Sequence, residues 1–220
     1  MRRIISLLIA LLLMVSVFAG CNEMPTVDKS VKPEEHITLY KKLTDLYGVP
    51  WRDVLKELNV DLQQISAEGL NHVGIPMKET YAGLEFDVFL RFGGDDEHLL
   101  GVEYTATYQY PEDEARMLRD LVKINRELIS DFGAASDTSL VFNWAEKRMG
   151  EKWNRDIAYW QDVQVLKRLL DNDYSGTLLL WNLNSVAPEQ VKALGRDHSL
   201  SVSFNILSEE DNTAVITINY

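Results

Sequence analysis

The sequence predicts an α+β fold, in which a mostly antiparallel sheet carries helices packed on one face. Two observations lead to this fold class. Apolar and polar residues alternate with a period of two in several short segments that follow one another as hairpins. Other segments repeat apolar residues at helical spacing, before and between these hairpins. Because the strands keep one polar face, we expect the helices to cover the other face only.

The strands are assigned from this alternation. It is clearest in residues 84–92 and 100–108, and Gly93-Gly94-Asp95-Asp96 between them is a turn sequence, so the two segments form a hairpin. A strand around residues 70–77 precedes the hairpin. Three further strands are predicted at Thr177–Leu183, Ser199–Leu207 and Thr213–Tyr220.

The helices are assigned from apolar stripes and from their end signals, such as Pro at the start and Gly at the end. Residues 139–153 follow neither period and are left unassigned. The order of elements suggests two similar halves, although no repeat is visible residue by residue. The predicted helices are 34–47, a short one from Pro50, a long one from Pro111 to Phe132, 156–171 and Pro188–Leu194.

Composition excludes several classes of function. The chain has 220 residues, with 34 acidic and 22 basic side chains and a net charge of −12. Such an acid excess argues against nucleic acid as a partner, because phosphate binding needs clustered Lys and Arg. The single cysteine, Cys21, excludes an intrachain disulfide and a cysteine-based zinc site. We expect no cofactor.

The N-terminal residues have the pattern of an export signal. Arg2 and Arg3 are followed by an apolar stretch from Ile4 to Phe18, which is shorter than the ~20 residues of a membrane-spanning helix. Small residues then lead to the cysteine. This ending resembles the lipobox of bacterial lipoproteins, with Phe18 where that family usually has Leu.

The resemblance to lipoproteins implies a domain organisation. Residues 1–20 would be removed as a signal peptide, and Cys21 would become the first residue and carry the acyl chains. Residues 21–32 lack periodicity and are interpreted as a flexible tether, with a reach of about 20 Å. A single α+β ectodomain, 33–220, follows. The expected location is extracytoplasmic, on the cell membrane or outer envelope, with the membrane bound through lipid on Cys21.

One loop has part of a calcium-binding pattern. Asp171, Asp173 and Ser175 occupy the first three ligand positions of an EF-hand-like loop, and Gly176 follows at the position of the turn. Asn182 stands where the loop needs its bidentate Glu. A turn from helix to strand is therefore the favoured interpretation, and the three residues are weak metal candidates.

Aromatic residues cluster between residues 142 and 160. Aromatic rings stack on sugars and anchor protein interfaces, but they more often fill the core. The candidates for ligand contact are Trp144, Trp153, Tyr159 and Trp160.

These observations favour a non-catalytic role. The four histidines are scattered and no nucleophile motif is present, so we expect a binding or assembly accessory that contacts an envelope protein. The alternative is a lipoprotein that binds carbohydrate or another small ligand. A hydrolase that uses unmarked carboxylates is less favoured.

Overall fold

The computed structural model describes residues 43–67, 71–93, 97–150, 161–185, 188–195, 197–208 and 212–220. They belong to one compact unit that spans 31–220. Within these residues, no helix has the length and apolarity needed to cross a membrane. The helices are α1 (Trp51–Glu57), α2 (Glu114–Phe132), α3 (Ser139–Met149), α4 (Val163–Leu170) and α5 (Pro188–Leu194), with a short 3-10 helix at Leu62–Gln64.

The strands form one antiparallel sheet in the order β1-β2-β3-β4-β7-β6-β5. The chain therefore has the predicted α+β fold. The strands are β1 (Ser66–Ala67), β2 (Val73–Tyr81), β3 (Leu84–Gly93), β4 (His98–Gln109), β5 (Gly176–Asn182), β6 (Ser199–Ser208) and β7 (Thr213–Asn219).

The predicted hairpin is confirmed, because β3 and β4 pair antiparallel with Val88 opposite Tyr104. The strand predicted around 70–77 ends four residues later than expected, at Tyr81. β2 continues to this residue through a bulge between Ile75 and Lys78. Such a bulge interrupts the alternation of side chains along β2.

Two helix predictions need correction, and one unassigned segment forms a helix. The long helix begins at Glu114, because Asp113 N–H donates to the Gln109 carbonyl and keeps residues 110–113 in a turn. Residues 139–149, left unassigned, form α3. Of the helix predicted over 156–171, residues 156–160 lie outside the described residues. Its described part begins at Val163, where Asp162 caps it by accepting a hydrogen bond from Gln164 N–H at 2.8 Å.

The first predicted helix, 34–47, lies mostly outside the described residues. Its end is described: Leu43 and Thr44 are helical, and a turn leads to Gly48, which has a φ of 79°. Leu43 and Tyr47 are buried, as the apolar stripe predicts for that end of the helix.

One face of the sheet is covered by α2, α3 and α4. The Tyr81 hydroxyl reaches Asp131 of α2, and the Trp181 ring nitrogen donates to the carbonyl of Gly133 just after α2. The core lies between this face and the helices. Its largest fully buried side chains are Trp181, Tyr104, Phe86, Phe142 and Phe204.

The opposite face of the sheet carries hydroxyl and amide side chains. Thr105, Thr217 and Ser203 stand side by side on β4, β7 and β6, and the next row along contains Asn205. We call this surface the hydroxyl face. The alternation of residue type in the sequence therefore corresponds to a real difference between the two faces.

The strand order is the same in the two halves of the sheet. β2-β3-β4 and β5-β6-β7 are each three successive antiparallel strands, and β4 and β7 join them at the centre. The connections differ, because only Ala82 and Gly83 link β2 to β3 whereas α5 lies between β5 and β6. The similarity is thus in strand order and not in the connecting segments.

Candidate functional site

Several predicted site residues lie outside the described part of the chain. These are Cys21, with the whole signal and tether region, and the aromatic residues Trp153, Tyr159 and Trp160. The lipid anchor and these ligand contacts remain predictions.

Trp144 is the predicted aromatic contact that the structure describes. It lies on α3, half-buried against the core, and its ring packs edge-on against Tyr174 with the centroids 4.9 Å apart. Tyr174 in turn contacts Phe204 of β6. Trp144 therefore helps to attach α3 to the sheet, which is the common use of such a residue.

The three weak metal candidates are bound to three different partners. Asp171 accepts a hydrogen bond from Lys167 at 2.8 Å, and Asp173 accepts one from Arg148 at 3.2 Å. Ser175 donates to the Asn205 side chain at 3.0 Å. No group of three His, Cys, Asp or Glu side chains in the described ranges could hold a metal ion. The loop serves as a turn between α4 and β5.

Two carboxylates of α2 are buried under the sheet, and each meets a tyrosine. Tyr81 donates to Asp131 at 2.7 Å, and Tyr108 donates to Asp120 at 3.4 Å. Burial, and then the neighbouring carboxylate, raises the pKa of both phenols far above its usual range. These contacts join α2 to the sheet, as buried polar groups must find partners.

A surface groove adjoins the first described helix. The start of α1 is fixed to β4: Trp51 N–H donates to the Glu97 carbonyl at 3.1 Å, and Pro50 forms a β-bridge with His98. The chain then turns back after α1, where Val60 N–H bonds to the Leu55 carbonyl at 2.9 Å. This return brings the residues that follow α1 against its side.

We call this surface the α1 groove. It encloses about 440 Å³, and its lining residues are Trp51, Arg52, Leu55, Lys56, Val60 and Leu62. Leu62 is 58% exposed, so it adds apolar surface at the edge of the groove. The guanidinium of Arg52 lies 5.1 Å from the centre of the Trp51 ring, so a cation already covers one apolar wall.

Charge is segregated around α1. Arg52 and Lys56 are one helical turn apart and line the groove, whereas Asp53 and Glu57 lie about 100° further round the helix and do not line it. The groove thus combines an apolar floor with two cations and no lining anion, on a chain that is acidic as a whole. The sequence pattern predicts the short helix from Pro50 but not the groove. The spacing of the two basic residues was the available signal.

Comparisons with known proteins identify no relative. No protein-family model matches the chain, and neither a curated protein nor a solved structure matches it.

Proposed function

We propose that this chain is a lipid-anchored protein of the cell envelope that acts without catalysis, by binding an envelope protein through the α1 groove. The observation that carries the binding role is the exposed apolar groove with its two cations. The signal-like N-terminus ending at Cys21 supports the anchor.

The groove has the features of a contact surface. Binding sites between proteins depend on a few apolar and aromatic anchors that exclude water, and Trp and Arg are frequent among them. Trp51 and Leu62 supply the apolar part, and Arg52 lies beside the ring. A segment that places one or two apolar side chains on this floor would remove them, and Leu62, from water.

Charge indicates the chemistry of the partner. Since Arg52 and Lys56 are the charged groups that line the groove, its complement is an apolar segment flanked by carboxylates. A lipid surface is disfavoured as the occupant, because an anionic membrane repels a chain with a net charge of −12. We therefore assign the groove to an acidic, apolar segment of a protein.

The test is photo-crosslinking of the full-length protein in its own membranes. A photoreactive residue replaces Leu62 in one variant and Leu140 in another. Leu140 is a matched control, because it is also 58% exposed but lies on α3. We expect one discrete protein adduct from position 62 and none of that size from position 140.

Two further variants separate the groove from the anchor. Arg52→Glu with Lys56→Glu should lower the adduct yield about tenfold, since both attractions become repulsions. Cys21→Ser should release the protein from the membrane fraction and lose the adduct. Equal adducts from positions 62 and 140 would contradict binding of the partner at the α1 groove. An adduct yield that the charge reversal leaves unchanged would contradict it as well. An adduct to lipid would assign it to the membrane. A Cys21→Ser protein that stays with the membrane would refute the lipid anchor.

A further inference from the structure

The α1 groove is closed at one end by the turn that follows α1. Asn59 has a φ of 55°, and its N–H donates to the Lys56 carbonyl at 3.0 Å. The next N–H, that of Val60, donates to the Leu55 carbonyl at 2.9 Å. Two such hydrogen bonds around a left-handed residue end a helix, and the apolar residue after the turn commonly contacts the last helical turn. The two walls of the groove, α1 and residues 60–62, are therefore joined at this end.

The charged side chains that line the groove, among the described residues, are Arg52 and Lys56. Neither forms an ion pair with any residue in the described part of the chain. The acidic residue of the returning segment, Asp61, has another use, because its carboxylate accepts from the Gln63 N–H at 3.0 Å and caps the 3-10 helix. The groove therefore presents two positive charges to an anionic ligand.

A groove that is closed at one end favours the end of a chain over an internal segment. An internal segment must leave the groove in both directions, and the turn at Asn59 blocks one of them. Of the two chain ends, the carboxyl terminus has the charge that Arg52 and Lys56 attract, whereas an amino terminus would meet two like charges. Capture of a terminal carboxylate is a recurring mode of peptide recognition.

The spacing of the two cations indicates where the anions of the ligand lie. Arg52 and Lys56 are four residues apart on α1, which is about 6 Å along the helix axis. An extended peptide covers about 3.3 Å per residue, so two anionic groups that meet both cations are about two residues apart. Lys56 is in the last turn of α1, next to the closed end, so it is the cation that a chain terminus meets.

We infer that the α1 groove binds the carboxyl terminus of its partner, an inference that rests on the proposed function. The terminal carboxylate lies on Lys56, and the last side chain is apolar and lies on the floor between Leu55 and Leu62. An acidic side chain two residues before the end lies on Arg52. The partner therefore ends in Asp or Glu, then any residue, then an apolar residue.

The first test locates the photo-adduct from position 62 on the partner. Mass spectrometry of the digested adduct identifies the crosslinked residue, and we expect it within the last four residues of the partner. A crosslink to an internal segment would overturn the carboxyl-terminal assignment and leave the proposed function standing. The absence of any protein adduct would overturn both, so the two failures are distinguishable.

The second test needs no partner. The full-length protein in detergent micelles is titrated with N-acetyl-Ala-Glu-Ala-Leu, and the backbone amide resonances of Leu55 and Leu62 are followed. The comparison peptide has the same sequence with a carboxyl-terminal amide, which removes only the terminal charge. We expect saturable shifts with the free acid and binding about tenfold weaker for the amide. Equal binding of the two peptides, or no shift with the free acid, would overturn the inference.

Variants assign each anion to its cation. Lys56→Gln should weaken binding of the free acid about tenfold and leave binding of the amide unchanged. Arg52→Gln should weaken both peptides, but not a free acid in which Gln replaces the Glu. Lys147→Gln makes the same change of charge in the last turn of α3 and should alter neither affinity. The thermal midpoint of each variant shows whether it is folded. Equal losses from Lys147→Gln and Lys56→Gln would mean a general effect of net charge and overturn the assignment.

Discussion

The two faces of the sheet show how one alternating pattern leads to two different surfaces. On the helix-covered face, large apolar side chains are fully buried, and the tyrosines Tyr81 and Tyr108 meet carboxylates of α2. On the hydroxyl face, the central side chains are as small as Thr105, Thr217 and Ser203. The covered face therefore holds the large apolar side chains of the core, whereas the hydroxyl face buries small polar ones at its centre, where Thr105, Thr217 and Ser203 are 8%, 6% and 7% exposed.

The largest expected effect of a single substitution is on the covered face. Phe204 is 0% exposed, so Phe204→Ala should leave a cavity under the helices and cost about 3–5 kcal/mol in the free energy of unfolding. Thr107 is exposed on the hydroxyl face, and Thr107→Ala should cost about 0.5 kcal/mol or less. Urea denaturation measures both values. Similar costs for the two variants would remove the distinction between the faces.

The next prediction is that alkaline pH lowers the stability of the covered face. Burial raises the pKa of Tyr174 to about 12, and it raises the pKa of Tyr81 and Tyr108 further. The folded state therefore favours the neutral phenols, and their contribution is complete below the unfolded pKa of about 10. As the pH rises from 10 towards 12, stability should fall by about 1.4 kcal/mol per pH unit for each group.

Urea denaturation between pH 9 and 11.5 checks this slope, and absorbance at 295 nm follows tyrosine ionisation. The hydroxyl face contributes little to this pH dependence. Its ion pair of Lys78 with Asp87 is exposed, so solvent screens the interaction. Phenols that ionise with a pKa near 10 while the protein stays folded would contradict the burial of these three rings.

The smallest of the three effects concerns a single hydroxyl. Tyr81→Phe removes a hydrogen bond to Asp131, which is 7% exposed, and should cost about 1–3 kcal/mol. Tyr110 is a suitable control, since it is only half-buried and its hydroxyl binds no residue in the described ranges. Tyr110→Phe should leave the urea midpoint within error. A larger loss from Tyr110→Phe than from Tyr81→Phe would show that the buried hydrogen bond to Asp131 contributes little.

Much of the fold could be predicted because its signals are local. The alternation in β3 and β4 reflects which side of the sheet each residue faces, and the stripe in α2 reflects one buried side of a helix. α3 could not be assigned although its buried residues Val141, Phe142 and Ala145 have helical spacing, because further apolar residues lie off this stripe. These are the exposed Leu140 and the half-buried Trp144.

The candidate sites depended on contacts between distant residues. Trp144 was predicted from its type as a possible ligand contact, but it packs against Tyr174, thirty positions along the chain. The α1 groove likewise forms only because the chain turns back after Glu57, which brings Val60 and Leu62 beside the helix.

The sequence by itself determined the fold class, the hairpin, the polar and apolar faces of the strands, and the acidic charge that argues against nucleic acid. These follow from residue type and spacing, which act over a few positions along the chain. The tertiary structure decided where cavities lie and which charges share them. Pro50, for example, forms a β-bridge with His98, and local spacing does not encode such a contact between remote segments.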